Sequence, residues 1–158
     1  MNHPGTKRIL FWLVLAGLML IGNPIRALDA GDGILGVWNT TDNKSQVEIF
    51  KERGRYNARI ISLKEPNWPA NDEEGMGGKP KNDRGNPDPK LRARKIVGME
   101  FMNGFVYAGK NHWVDGRIYD PESGKNYKCK ITLTDPKHLE VRGFVGISLL
   151  GRTVEWTR

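Results

Sequence analysis

The sequence predicts an all-β protein in which eight antiparallel strands close into an up-and-down barrel. In the last third of the chain apolar and polar residues alternate, and Tyr127, Cys129 and Ile131 occupy every second position. A period of two is typical of a strand with one buried and one solvated face. Asp-Pro pairs, which favour turns, divide this region into successive strands. Short turns between eight strands favour a barrel, because closure removes both edges of an open sheet.

The composition indicates one globular domain. The chain has 158 residues, of which 38% are hydrophobic and 27% are charged, so it can bury a core and differs from a disordered segment. Its 19 glycines suit a protein with many turns. Cys129 is the single cysteine, which excludes an intramolecular disulfide.

The N-terminus has the layout of a secretory signal peptide. Two basic residues precede an apolar stretch of 13 residues, 9–21, which we expect to be helical and which is short for a membrane span. Small residues follow at Ala27 and Ala30. We therefore predict a signal peptide over residues 1–30, cleaved after Ala27 or Ala30, and a single barrel domain over residues 31–158. Retention of the segment as an N-terminal anchor is the alternative.

Export has consequences for location and partners. The predicted mature protein is periplasmic or secreted, and it has no second apolar run long enough to predict a stable transmembrane span. The whole chain has a net charge of +7, of which residues 1–30 carry +2 and the predicted mature protein carries the remaining +5. A nucleic acid is not expected as the partner of this exported protein, despite its positive charge.

The first three strands follow from alternation and turn residues. Gly36–Thr40 is the first predicted strand, and the sequence Thr-Asp-Asn-Lys after it favours a turn. Residues 45–51 alternate again and form the second strand. The third strand, Arg55–Leu63, places Tyr56 and Ile60 on one face.

A long loop is predicted next. Residues 64–95 hold five of the nine prolines and show no sustained period, and loops of this length are usually functional or disordered. The second half of the loop, residues 79–95, has seven basic and two acidic residues. Asp88 and Pro89 predict a short helix near 89–94, because Asp caps a helix start and Pro is tolerated at its first position.

The remaining strands are predicted between glycine and proline turns. Residues 96–102 form the fourth strand, Asn103 and Gly104 predict a turn, and residues 105–110 predict an irregular loop. The last four predicted strands are residues 112–119, 125–134, 139–145 and 152–158, with an apolar connection over residues 146–151.

Four groups of residues along the chain carry a family resemblance. They are Gly36-Val37-Trp38, Asn86-Pro87-Asp88-Pro89 with Leu91, Arg92 and Arg94, Ile118-Tyr119-Asp120-Pro121 with Gly124, Lys125 and Tyr127, and Val141-Arg142-Gly143 with Gly151-Arg152-Thr153 and Trp156. In this order they resemble the exported bacterial family called domain of unknown function 2147, in the lipocalin-like superfamily. The resemblance implies a lipocalin-like barrel in the cell envelope, and it implies no established reaction or ligand.

The resemblance also implies how one end of the barrel closes. In lipocalins an arginine late in the barrel packs over the tryptophan of the first strand. Here Arg152 or Arg158 would pack over Trp38, and such a cation–π contact contributes about 1 kcal/mol.

No catalytic, metal or cofactor site is predicted. His112 and His138 lie on different segments, and one cysteine cannot form a ligand cluster of known spacing. Cys129 alternates with apolar residues, so we expect an inert thiol inside the barrel. Asp83 and Asp88 share a loop and would form an acid–base pair, but Asp88 is explained as a helix cap. We therefore predict a protein that is not an enzyme.

The first functional hypothesis is a barrel that holds a small apolar or amphipathic ligand under the 64–95 loop. Eight-stranded barrels are either filled by side chains or just wide enough for one small ligand. Arginine suits carboxylate and phosphate head groups because its guanidinium is a planar fork. The candidate ligand contacts are Tyr56, Ile60, Trp68, Arg92, Arg94, Tyr127, Cys129, Ile131 and Trp156.

The alternative hypothesis is a filled barrel that acts as an interaction module of the envelope. Its basic loop would then bind an envelope protein or an anionic surface. A third reading gives the loop arginines a structural role, with Arg–Asp pairs that hold the loop to the barrel. The packing of the interior distinguishes the first two hypotheses, and the sequence leaves the oligomeric state open.

Overall fold

The computed structural model describes residues 29–158, which form a closed barrel of eight antiparallel strands. The strands are β1 Gly36–Asn39, β2 Ser45–Glu52, β3 Arg55–Leu63, β4 Glu100–Gly109, β5 His112–Asp120, β6 Lys125–Asp135, β7 His138–Phe144 and β8 Arg152–Thr157. Short 3₁₀ helices cover Ala30–Ile34, Thr41–Asn43, Pro89–Leu91 and Ser148–Leu150.

Each strand pairs with the next one in sequence, and β8 returns to β1 where Thr157 lies opposite Asn39. The predicted eight-stranded up-and-down barrel is therefore confirmed. The apolar stretch of the predicted signal peptide lies outside the described residues. Within residues 29–158, no helix has the length and apolar character that crossing a membrane requires.

The fourth strand has different bounds from those predicted. We predicted a strand over residues 96–102, a turn at Asn103 and Gly104, and an irregular loop over residues 105–110, but β4 runs without a break through all of Glu100–Gly109. Gly104 has a φ of +81° where the pairing of β3 with β4 shifts register. The residue that suggested a turn therefore forms an irregularity inside a strand.

The barrel has two different ends. At the end where β1 begins, the helix Ala30–Ile34 packs against the strands, and a side chain at Gly31 would collide with Tyr56 and Tyr107. We call this the closed end. The opposite end, which we call the loop end, carries residues 64–99 between β3 and β4 and residues 145–151 between β7 and β8.

The 64–99 connection has a defined internal structure. Isolated bridges pair Asn67 with Pro80 and Asn82 with Lys95. The helix predicted near 89–94 is a shorter 3₁₀ helix, Pro89–Leu91, and the side chain of Asp88 caps it by accepting a hydrogen bond from the backbone N–H of Lys90. The cap was therefore predictable, because Asp-Pro at a helix start has a local physical cause.

Candidate functional site

Most of the apolar residues predicted to contact a ligand do lie inside the barrel. Tyr56, Ile60, Cys129, Ile131 and Trp156 are all at most 4% exposed. Their positions follow from the alternation of β3, β6 and β8, which turns every second side chain inward. Another of the candidate ligand contacts, Tyr127, also belongs to β6 but is only partly buried.

The interior is filled by these and other large side chains. The space between Ile49, Tyr56, Met102, Phe105 and Ile131 has a cavity volume of about 0 Å³. The ring of Phe105 lies so close to Gly116 that any side chain there would collide with it. In this conformation the space beside the predicted ligand contacts Tyr56 and Ile131 has no room for a ligand.

One polar atom in the interior lacks a partner. The indole N–H of Trp113 is fully buried and donates no hydrogen bond to any atom of residues 29–158. The Trp113 ring packs edge-on against Tyr56, with 6.1 Å between the centroids, and lies 5.1 Å from Tyr107. An unpaired buried donor costs about 1–3 kcal/mol, so this position would favour an acceptor atom.

The closed end is sealed by ionic contacts. Asp32 accepts hydrogen bonds from Lys51 Nζ and from the Tyr56 hydroxyl, both at 2.8 Å. The bond from Lys51, helped by that from Tyr56, holds the pKa of Asp32 below its usual value of 3.8. Burial raises the pKa of Tyr56, and the bond to Asp32 raises it further. Tyr56 is therefore fixed by the seal as well as by packing.

Arg158 forms the second part of the seal. Its guanidinium carbon lies 4.2 Å from the centroid of the Trp38 ring, and the guanidinium donates hydrogen bonds to the carbonyls of Gly33 and Leu35. The alternative, Arg152, begins β8 opposite Gly143 at the loop end, six residues away and thus roughly 20 Å from this position. Of the two arginines named for barrel closure, Arg158 occupies the predicted place.

The arginines of the 64–99 connection bind within the connection. Arg94 Nη2 lies 2.7 Å from a carboxylate oxygen of Asp83, which is fully buried. Asp83 also accepts hydrogen bonds from the Tyr119 hydroxyl at 2.6 Å and from the Asn86 amide at 2.8 Å. Burial, with the bond to Asp83, raises the pKa of Tyr119 to about 12. This cluster attaches the connection to β5, and it explains Asp83 without a catalytic role.

Arg92, Arg84 and Trp68 are also engaged locally. Arg92 Nε donates to the backbone carbonyl of Asn86 at 2.8 Å. Arg84 lies 3.5 Å from the centroid of the Trp68 ring and 2.7 Å from Asp72. These contacts are those expected if the basic residues hold the loop together. They agree with the interpretation that the loop arginines have a structural role.

The most exposed apolar residues lie together on the connection between β7 and β8. Val145, Ile147, Leu149 and Leu150 are 68%, 63%, 81% and 78% exposed. We call residues 145–150 the apolar loop. Arg142 holds its backbone, because its guanidinium donates to the carbonyls of Ser148 at 2.8 Å and Leu149 at 3.2 Å.

Four cations lie on the barrel wall beside the apolar loop, and we call them the cationic face. Arg117 on β5 lies opposite Lys128 on β6, and Lys130 on β6 lies opposite Arg142 on β7. Within residues 29–158, none of the four forms an ion pair. Like charges directly opposite each other destabilise a sheet, so these two cross-strand pairs are unfavourable in the isolated barrel.

Comparison with known proteins identifies the family. A family model described as an uncharacterized protein conserved in bacteria, DUF2147, matches residues 36–158. The chain belongs to the DUF2147 family. A solved structure from the human pathogen Helicobacter pylori, described as belonging to the lipocalin family, is 28% identical with a TM-score of 0.65, and the match covers 79% of this chain and 82% of that one. No curated protein matched. The resemblance to a lipocalin-like DUF2147 protein is thus confirmed.

In this DUF2147 protein, the exposure of the apolar loop was not predicted from the sequence. Residues 146–151 were predicted only as an apolar connection. Their apolar residues lie between two glycines and do not alternate with polar residues, so the pattern does not predict a half-buried strand. The cations were also visible as alternate residues of β6, but their partners across the sheet were not. Across residues 29–158, no cluster of three histidine, cysteine or acidic side chains is placed to hold a metal.

Proposed function

We propose that this DUF2147 protein is an exported, non-enzymatic interaction module of the bacterial cell envelope, which binds its partner through the apolar loop. One combination of observations carries the proposal. Inside the barrel, the space between Ile49, Phe105 and Ile131 has no room for a ligand, whereas four large apolar side chains are more than 60% exposed on a single loop. Scattered apolar residues are normal on a protein surface, but a contiguous cluster marks an interaction site.

A photo-crosslinking experiment tests this proposal in cells. A photoreactive amino acid replaces Leu149 in the full-length chain, and a matched control replaces Val97, which is 40% exposed in the 64–99 connection. We expect adducts, detected as a mass shift, at position 149 and not at position 97. Absence of any adduct at position 149, or equal labelling at both positions, would contradict the proposal.

The role in the envelope requires export, and the closed end favours one cleavage site. Asp29 pairs with Lys51 at 2.8 Å, and its carbonyl accepts a hydrogen bond from the backbone N–H of Asp32 at 2.7 Å. Cleavage after Ala30 would remove Asp29 from this seal, so we expect cleavage after Ala27. The intact mass of protein extracted from the periplasm should match a chain that begins at Leu28. A chain that begins at Gly31, or an uncleaved chain, would contradict this expectation.

Transport of a small apolar or amphipathic ligand is the second candidate, and the unpaired N–H of Trp113 favours it. Similarity to a lipocalin-family structure supports it as well. The ligand would have to displace interior side chains and offer an acceptor atom to Trp113. Native mass spectrometry of the periplasmic protein, followed by solvent extraction, tests this candidate. A bare chain mass that does not change on addition of fatty acids would reject it.

A further inference from the structure

We propose that the apolar loop and the cationic face together form a docking surface for a lipid bilayer with anionic head groups. This inference rests on the proposed function and names the partner of the same surface. Membrane-surface binding needs apolar side chains that enter the head-group region, and it is strengthened by attraction between cations and anionic lipids. The loop end of the barrel supplies both.

The apolar loop is held in shape by its own contacts. Besides the two carbonyls bonded by Arg142, the Ser148 hydroxyl lies 3.4 Å from Lys130 Nζ. Any side chain at Gly151 would lie 2.5 Å from the carbonyl oxygen of Gly143. The side chains of Leu149 and Leu150 are exposed, and their insertion into lipid would leave the carbonyls of Ser148 and Leu149 bonded to Arg142.

The cations lie close to the apolar loop. Lys128 is directly opposite Phe144, the residue that precedes the loop, and Arg142 lies one row further along the barrel wall. On β7 and β8 the nearest acidic residues are Glu140 and Glu155, which form the next row toward the closed end. On β5, Asp115 lies where the pairing with β6 shifts register, and Asp120 lies opposite Lys125. Glu122 is exposed in the turn between β5 and β6.

The composition of the loop favours a bilayer over a protein partner. Its large side chains are all aliphatic, whereas the cores of protein interfaces are enriched in aromatic residues and methionine. A stable protein interface also buries about 800 Å² per partner, usually spread over 20–30 residues. A six-residue aliphatic loop next to four cations fits insertion into the boundary between acyl chains and head groups.

Sedimentation with vesicles tests the inference, using residues 28–158 with vesicles of phosphatidylcholine with or without phosphatidylglycerol. We expect binding to the anionic vesicles that weakens as salt is raised. Arg117→Gln with Lys128→Gln, two cations without a contact to the loop, should weaken binding about 30-fold, the factor for two cations at about 1 kcal/mol each. Lys110→Gln with Lys137→Gln, at the closed end, is the matched control and should leave binding unchanged.

The apolar contribution is tested by Leu149→Ser with Leu150→Ser, which should weaken binding at least about tenfold. Val97→Ser is its control, and urea unfolding verifies that each variant is folded. Equal binding to neutral and anionic vesicles, or no binding, would overturn the lipid inference. If vesicle binding is absent while position 149 crosslinks to a protein, the proposed function stands and only the lipid partner is wrong. Absence of both overturns the two proposals together.

Discussion

The guanidinium of Arg158 covers the indole of Trp38, with 4.2 Å between the guanidinium carbon and the ring centroid. This contact joins the residue after the last strand to the first strand, where β8 and β1 pair at one position, Thr157 with Asn39. Arg158 also donates to the carbonyl of Pro136 at 2.8 Å, as well as to those of Gly33 and Leu35. The side chain therefore closes the barrel at its weakest seam.

Substitution of this arginine should destabilise the barrel. We expect Arg158→Ala to lower the free energy of unfolding by about 1–3 kcal/mol, because it removes the cation–π contact and three hydrogen bonds. Arg158→Lys keeps the charge but not the planar fork, and should recover part of the loss. Urea unfolding measures both variants, with Arg152→Ala as the control. Equal stability of Arg158→Ala and the native chain would show that the seam does not need this contact.

Arg94 should contribute more to stability than Arg92, because Arg94 pairs with the buried carboxylate of Asp83. Arg94→Ala leaves Asp83 buried without its cation, which should lower the free energy of unfolding by about 2–3 kcal/mol. This loss is smaller than the roughly 3–5 kcal/mol for a wholly buried pair, because Arg94 is partly exposed. Arg92→Ala removes one bond to a carbonyl and should cost about 1 kcal/mol. Thermal and urea unfolding compare the two. A larger loss from Arg92→Ala would contradict this ranking.

Acid should loosen the closed end. Because the folded-state pKa of Asp32 is lowered, its stabilising contribution is present above its ordinary pKa of 3.8 and is lost as the pH falls through the lower, folded-state value. The free energy of unfolding should therefore be constant in this respect near neutral pH and fall as the pH drops below about 5, and the fall should be less steep for Asp32→Asn. Glu52→Gln, an exposed site on β2, is the control. Identical pH profiles for the native chain and Asp32→Asn would refute the assignment.

The thiol of Cys129 should be inert in the folded protein. It is 1% exposed, and burial raises its pKa to about 12. Alkylation by iodoacetamide near neutral pH should be at least about 10³-fold slower than for an ordinary exposed thiol, and denaturant should abolish the protection. Cys129→Ala combined with Lys128→Cys moves the thiol to the outer face of β6 and provides the exposed control. Rapid labelling of the native protein would show that the barrel opens readily.

Local patterns explain why much of the fold was predictable. The alternation of β2, β3 and β6 has a period that only a strand can bury on one face, so their positions agree closely with the prediction. The fourth strand was misplaced because glycine occurs both in turns and in β-bulges, and the residue type of Gly104 does not distinguish the two. Both Arg152 and Arg158 fitted the closure motif. Because β8 runs from the loop end to the closed end, only Arg158 reaches Trp38.

The sequence by itself determined the number of strands, their order and the inward position of the single thiol, since these depend on local periodicity and residue type. The family followed from the resemblance of four groups of residues. The tertiary structure decided how the interior is packed and which apolar residues are exposed. Whether eight strands enclose a cavity depends on how Phe105, Met102 and Trp113 interdigitate across the interior, and no single strand contains that information. The same holds for the surface, because an apolar run such as 145–150 is buried or exposed according to what packs against it.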